Sequence, residues 1–173
     1  MNRELIDMCA ELSSKSKLFS LNPGNVWDKF DTSLRKLVSS SQWHEVKFVD
    51  ESNGMPHSDM STIPNNAGGI YVFVLKPDLI PNTHLYIMYI GRARHTNNQN
   101  LRKRCREYFS DTKRVKVAMM KEHWNNHLYI RYLPLTDNNI IDRLEEGLIN
   151  AVLPPCNDKI PDRITMMAKK SAF

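Results

Sequence analysis

The run at residues 69–76 constrains this chain more than any other segment. Ile70, Val72 and Val74 alternate with Tyr71, Phe73 and Leu75, and both sets are apolar or aromatic. Successive residues of a strand face opposite sides, so a strand of this composition must be covered on both faces. Residues 85–90 form a second strand-like run, dense in Tyr, Ile and Met. Between them, residues 77–84 hold two prolines, an Asp and an Asn, and read as a loop. The two runs are expected to pair as an antiparallel hairpin with a long connection.

Helical periodicity supplies the covering layers. Residues 101–109 predict a short basic helix, with Leu101, Cys105 and Tyr108 or Phe109 at helical spacing. Residues 113–124 predict another. Residues 127–133 alternate Leu128, Ile130 and Tyr132 as a third strand. Residues 139–152 carry the stripe Ile140, Ile141, Leu144, Leu148, Ile149 and Val152, stopped by Pro154-Pro155. Upstream, Leu5, Ile6, Cys9 and Leu12 share a helical face, and Asn22-Pro23-Gly24 breaks that helix. A second amphipathic helix is expected from residue 25, with Trp27, Phe30, Leu34 and Leu37 buried and Ser39-Ser40-Ser41 ending it. Residues 43–49 alternate in part and are a candidate strand. Residues 50–67 read as a linking loop. The expected architecture is α+β, a small central antiparallel sheet of three strands flanked by helices, behind a mainly helical N-terminal extension. The divisions fall at 1–67, 68–162 and a basic tail at 163–173.

Composition narrows the class. A chain of 173 residues can bury a single sizeable core. No run of eighteen apolar residues exists, so no membrane-spanning helix is expected. Glu4, Asp7 and Glu11 interrupt the first segment, which therefore lacks the apolar stretch of a signal peptide. Cys9, Cys105 and Cys156 are odd in number and far apart, as free thiols in a reducing, cytoplasmic setting would be. No Walker-type loop, Gly-x-Ser-x-Gly or Cys-x-x-Cys is present. His123 and His127 have no third ligand at a fitting offset. The net charge of +5 is unevenly spread. Residues 92–131 hold eleven Lys or Arg against three Asp or Glu; residues 135–162 hold two against six. A basic surface beside an acidic pocket suits a polyanion with a cation at its reacting phosphate.

Two tripeptides lie on the hairpin, Gly69-Ile70-Tyr71 and Tyr89-Ile90-Gly91. Either alone is ordinary strand composition. Leu101-x-x-Arg104-x-x-x-Tyr108 follows, then Glu145 in the pattern Glu-x-x-Leu-Ile, then Pro154-Pro155-Cys156-Asn157. In this order the residues resemble the GIY-YIG nuclease family, from residue 69 to about residue 160. Tyr108 resembles the excision-repair incision subunit rather than phage homing enzymes. The seventeen residues between Tyr71 and Tyr89 resemble the restriction enzymes, whose insertions exceed the family's compact members. Glu146 is the rival of Glu145; the resemblance to the excision-repair subunit implies Glu145, because Leu148, Ile149 and Asn157 stand three, four and twelve residues beyond it, as in that pattern.

The resemblance implies a metal-dependent endonuclease that hydrolyses DNA to 5′-phosphate and 3′-hydroxyl ends. It assigns catalytic positions to Tyr71, Tyr89, Arg104, Tyr108, Glu145 and Asn157. Glu145 is expected to hold one Mg²⁺ or Mn²⁺, and Arg104 to neutralise charge on the phosphate. Tyr71 is expected to help deprotonate the attacking water, with Tyr89 and Tyr108 orienting water or phosphate. That role for Tyr71 needs a cation nearby, since a free phenol has a pKa of about 10. Asn157 is expected to hold the site's geometry by hydrogen bonding. The expected partner is double-stranded DNA, contacted by Arg92, Arg94, Arg102, Lys103, Arg106, Lys113 and Arg114. A homodimer through the N-terminal helices is compatible with that reading. Restriction or defence is the expected setting. A repair or mobile-element nuclease, or a non-catalytic nucleic-acid-binding module, stays open.

Overall fold

The computed structural model describes residues 30–77, 80, 85–110, 114–162 and 167. The expected first helix, the break at Asn22-Pro23-Gly24, Trp27, Lys113 and nearly all of the C-terminal tail lie outside the described residues. Within them the elements are α1 (Thr32–Ser40), β1 (His44–Lys47), a 3₁₀ turn (Ser58–Ser61), β2 (Gly68–Leu75) and β3 (Tyr86–Ala93). Then follow α2 (Leu101–Glu107), α3 (Val115–Trp124), a 3₁₀ turn (Asn125–His127), β4 (Leu128–Leu135) and α4 (Asn138–Val152). No helix among the described residues is long and apolar enough to cross a membrane.

Among the described residues the fold is α+β: one antiparallel sheet of four strands in the order β1-β4-β2-β3, with four helices. The sheet has one strand more than the expected three. β1 pairs with β4, His44 opposite Tyr132 and Val46 opposite Ile130. Its partner is more than eighty residues away in sequence, so local alternation alone could not place it in the sheet. β2 is central and all eight of its residues are buried, as its doubly apolar pattern requires.

The two parities of β2 feed two core layers. Tyr71, Phe73 and Leu75 face α2, α3, Phe48, Met60 and Ile63. Ile70, Val72 and Val74 face α4 and α1, meeting Ile141, Leu144, Leu148, Phe30 and Leu34. Phe48, Met60 and Ile63, which precede the division expected between residues 67 and 68, are fully buried in the same layer as Tyr71. The expected loop at 50–67 is correspondingly tied down, with a bridge between Val49 and Pro56 besides its 3₁₀ turn. Nor is Phe30 within a helix. Asp31 Oδ1 accepts from the amides of Ser33 and Leu34, which caps α1 at Thr32 and leaves Phe30 outside to pack on α4.

Charge ties the outermost β1 to its neighbours. Glu45 accepts from Lys76 Nζ at 2.6 Å and from Arg131 Nε at 2.7 Å. Desolvation raises the Glu45 pKa, but the two cations outweigh it and hold the carboxyl below its ordinary range. A depressed carboxylate pKa contributes stability above the unfolded-state value, lost as pH falls through the folded value. Glu45→Gln should therefore cost about 0.5–1 kcal/mol near neutral pH. Urea unfolding of the two proteins should converge as the pH drops below the ordinary glutamate range.

Candidate active site

A cluster of phenols and guanidinium groups gathers where β2, β3, α2 and the start of α3 meet. Tyr71 projects from β2, fully buried, and its Oη lies 2.7 Å from that of Tyr108 at the end of α2. Tyr89 projects from β3 onto the same face, its ring centroid 6.4 Å from Tyr71 and 6.0 Å from Tyr108. Met88 is an extra residue on β3, where the register shifts between Phe73 and Val74. Such a bulge re-aims the side chains beside it. The register beyond it sets Tyr89 opposite Phe73 and Gly91 opposite Tyr71.

Gly91 leaves the room that Tyr71 fills. A Cβ at this position would stand 2.4 Å from Tyr71 Oη and 2.8 Å from Tyr89 Cε1. Gly69 meets the opposite constraint: its φ is +146°, and a Cβ there would stand 2.1 Å from the Leu133 carbonyl oxygen. The two outer glycines of the tripeptides thus serve the backbone and the phenol they flank.

Arg114, immediately before α3, donates from Nη1 to Tyr108 Oη at 2.5 Å and to Tyr89 Oη at 3.1 Å. Arg104 on α2 sits 5.4 Å from the centre of the Tyr108 ring and pairs with Glu107 at 2.5 Å. Desolvation opposes the Arg104 charge, but Tyr71, Tyr108 and Glu107 prevail and hold its pKa above the usual value. This cation is permanent at any working pH.

The carboxylate comes from the other face of the sheet. Glu145, on α4, accepts from Arg92 Nη1 at 2.5 Å, and Arg92 Nε also lies 3.0 Å from Asp142 Oδ1. Asp142 in turn accepts from Arg94 Nε at 2.9 Å. Asp142 and Glu145 are three residues apart, so they share a helix face towards β3. Burial raises the Glu145 carboxyl pKa, and the pull of Arg92 only partly offsets it. Glu146, the sequence rival, is exposed.

Asn157 joins the two halves. It is 7% exposed, and its side-chain amide accepts from Ile90 N at 2.9 Å and donates to Ile90 O at 2.8 Å. The segment after α4 is thereby fastened to the strand carrying Tyr89, which fixes Glu145 relative to the phenols. Asn157→Ala leaves both Ile90 backbone groups without these partners. It should lower unfolding free energy in urea by about 2–4 kcal/mol.

Two adjoining hollows open over these groups. One, of about 390 Å³, is lined by Tyr71, Tyr89, Arg92, Arg94, Arg104, Arg114, Gln99 and Glu145, with Ala93. The other, of about 430 Å³, shares Tyr89, Arg92, Arg114 and Glu145 with the first and adds Asn157, Lys116, Lys159, Glu146 and Asp158. Tyr108 stands behind the wall. Arg102, Lys103 and Arg106 lie elsewhere, along a separate groove with Asn65, Asn100 and Ser110. Charge counting along the sequence could not separate those three from Arg92 and Arg94, which are bound to carboxylates at the site. Asp142 and Gln99 were missed. Asp142 had a legible signal in its spacing from Glu145, whereas nothing marks Gln99.

The first hollow sets four guanidinium groups against one carboxylate, an environment for an anion. Among the described residues no three His, Cys, Asp or Glu gather as a metal cage. Glu145 fits a different kind of ion site, a hard cation taking one protein carboxylate and completing its shell with water and phosphate oxygens. Tyr71 does not suit the proton-accepting role implied for it. Desolvation, reinforced by Tyr89, drives its phenol pKa upward against the opposing pull of Arg104. Burial thus works against ionisation of Tyr71.

No protein-family model, no curated protein and no solved structure matches the chain.

Proposed function

We propose that this protein is a metal-dependent endonuclease of the GIY-YIG type that hydrolyses DNA phosphodiester bonds, leaving 5′-phosphate and 3′-hydroxyl ends. One observation carries the reading: two phenols, four guanidinium groups and one carboxylate line the same hollow, supplied by β2, β3, α2, α4 and two connecting segments. Arg104 binds a non-bridging oxygen of the scissile phosphate and neutralises charge that grows in the transition state. Arg114, and Arg92 once its carboxylate partners are shared with a ligand, bind the remaining phosphate oxygens. Tyr108 and Tyr71 brace Tyr89 from behind. Glu145 would hold Mg²⁺ or Mn²⁺, which when bound would supply positive charge to polarise the phosphoryl group and ease departure of the 3′ oxygen. The separate groove lined by Arg102, Lys103 and Arg106 would take the phosphate backbone of the duplex. Restriction or defence is the setting we favour, with the spacing between Tyr71 and Tyr89 as its support; a homodimer is compatible with it.

Incubation of supercoiled plasmid with Mg²⁺ or Mn²⁺ tests the reading. Nicked or linear DNA that EDTA suppresses is expected, with ends that a ligase rejoins. Intact plasmid across both ions and a range of salt would overturn it. A protein that binds DNA in a salt-dependent way and never cuts is the binding-module reading instead.

A further inference from the structure

We propose that Tyr89, positioned by Arg114, is the phenol that takes the proton of the attacking water, in place of Tyr71. The inference rests on the nuclease reading and departs from the role that resemblance gives Tyr71. Access is the first argument. A proton acceptor must reach the water that attacks, and Tyr89 lines both hollows, whereas Tyr71 lines one with a fully buried side chain and Tyr108 lines neither. Hydrogen-bond accounting is the second. Tyr71 Oη and Tyr108 Oη are engaged with each other at 2.7 Å, and Arg114 donates to Tyr108 as well. A guanidinium has donors and no acceptor, so Tyr89 Oη must accept from Arg114. That places a fixed positive charge 3.1 Å from the oxygen, where it balances the negative charge present when the phenol has lost its proton. Around Tyr89 stand Arg92 on β3 and Arg94 just after it, Glu145 and Glu146 on α4, Asp158 and Lys159 after α4, Arg114 and Lys116 at the start of α3, Tyr71 on β2, and Arg104 and Tyr108 on α2. The cations in that set outnumber the carboxylates.

The step balances without a further reactant. One O–H bond of water breaks and its proton joins the Tyr89 phenolate oxygen. The released pair forms the new O–P bond, the P–O3′ bond breaks, and the 3′ oxygen leaves with that pair and takes a proton from solvent. Tyr89 returns its proton to solvent.

Two measurements decide the assignment. In plasmid cleavage, Tyr89→Phe should lose about 10²–10⁴-fold in kcat. Tyr71→Phe, which removes a buried hydrogen bond, should lose about tenfold. Arg114→Ala should move the rising limb of the kcat–pH profile to higher pH, changing kcat more than KM, and Arg114→Lys should recover part of that shift. Equal losses in Tyr71→Phe and Tyr89→Phe, or an unmoved pH profile in Arg114→Ala, overturn the proposal. The second measurement needs no catalysis: an NMR pH titration of protein labelled with carbon-13 at tyrosine Cζ. The Tyr71 and Tyr108 signals, each assigned by its absence in the Phe variant, should hold their protonated positions as the pH rises, because burial raises both phenol pKa values, and Arg114→Ala should displace the Tyr89 signal by removing its donor. If Tyr71 titrates first, the inference fails even in a protein that cleaves DNA. A wild-type protein that cuts nothing defeats the nuclease reading, and the titration still decides which phenol ionises first.

Discussion

A Glu145→Ala protein is expected to bind DNA as tightly as the parent and leave it uncut. The predicted loss in cleavage rate is about 10³-fold or more, roughly 4 kcal/mol of barrier. Folding should survive the change. Arg92 keeps Asp142 at 3.0 Å, so no buried guanidinium is orphaned. Burial already disfavours the Glu145 charge, so its removal relieves a desolvation cost as well as losing an ion pair. Binding should hold or tighten, because one negative charge leaves a hollow lined by four arginines. Arg104→Ala, for comparison, should lose about 10²–10³-fold with weaker binding, since it removes a phosphate contact and transition-state stabilisation together. Cleavage by a clean Glu145→Ala preparation within tenfold of wild type would remove this carboxylate from the mechanism. Filter binding and plasmid nicking on the same samples separate the two effects.

Gly91→Ala should be the most damaging single methyl group in the sheet. Its Cβ would need space now held by Tyr71 Oη at 2.4 Å and Cζ at 2.5 Å. Tyr71 cannot yield: it is fully buried, edge-on to Phe73 and Tyr108, and its hydroxyl is bonded to Tyr108. Overpacking of this kind costs about 3 kcal/mol, or about 6–12 °C in Tm for a chain of this size. The phenol cluster should shift with it, and cleavage should fall by more than tenfold. Tyr71→Phe in the same chain removes the closest clash and should recover part of the lost stability, so the two changes should be non-additive. Calorimetry on the single and double variants measures the coupling. A Gly91→Ala protein with unchanged Tm would mean that β3 gives way more easily than its pairing with β2 implies.

Some of this was legible from residues alone. The doubly apolar 69–76 run announced a central strand because burial on both faces leaves no other pattern. The stripe from Ile140 to Val152 announced α4 and set Glu145 at its edge. The rest depended on contacts distant in sequence. β1 has one buried residue, Val46, so its four positions carry too little periodicity to reveal a partner on β4. Met60 and Ile63 sit in a stretch of loop-like composition, yet both are fully buried under the sheet. Basic residues look alike in a sequence. Only the fold shows that Arg92 and Arg94 are held by Asp142 and Glu145, that Arg114 bridges two phenols, and that Arg102 and Lys103 bond to the backbone at Ile63 and Asn98.

The anchoring of Asn157 has a bearing on self-association. β3 ends the sheet on one side, and an end strand normally offers its open amides and carbonyls to any passing extended chain. Here the outward groups of Ile90 are taken by the asparagine side chain, and the Met88 carbonyl by the Cys156 amide. The opposite border is β1, only four residues long, with Glu45 and Lys47 along it. A neighbour seeking to lengthen the sheet meets a blocked rim on one flank and a short charged one on the other. Strand addition is thereby discouraged at both borders of the sheet.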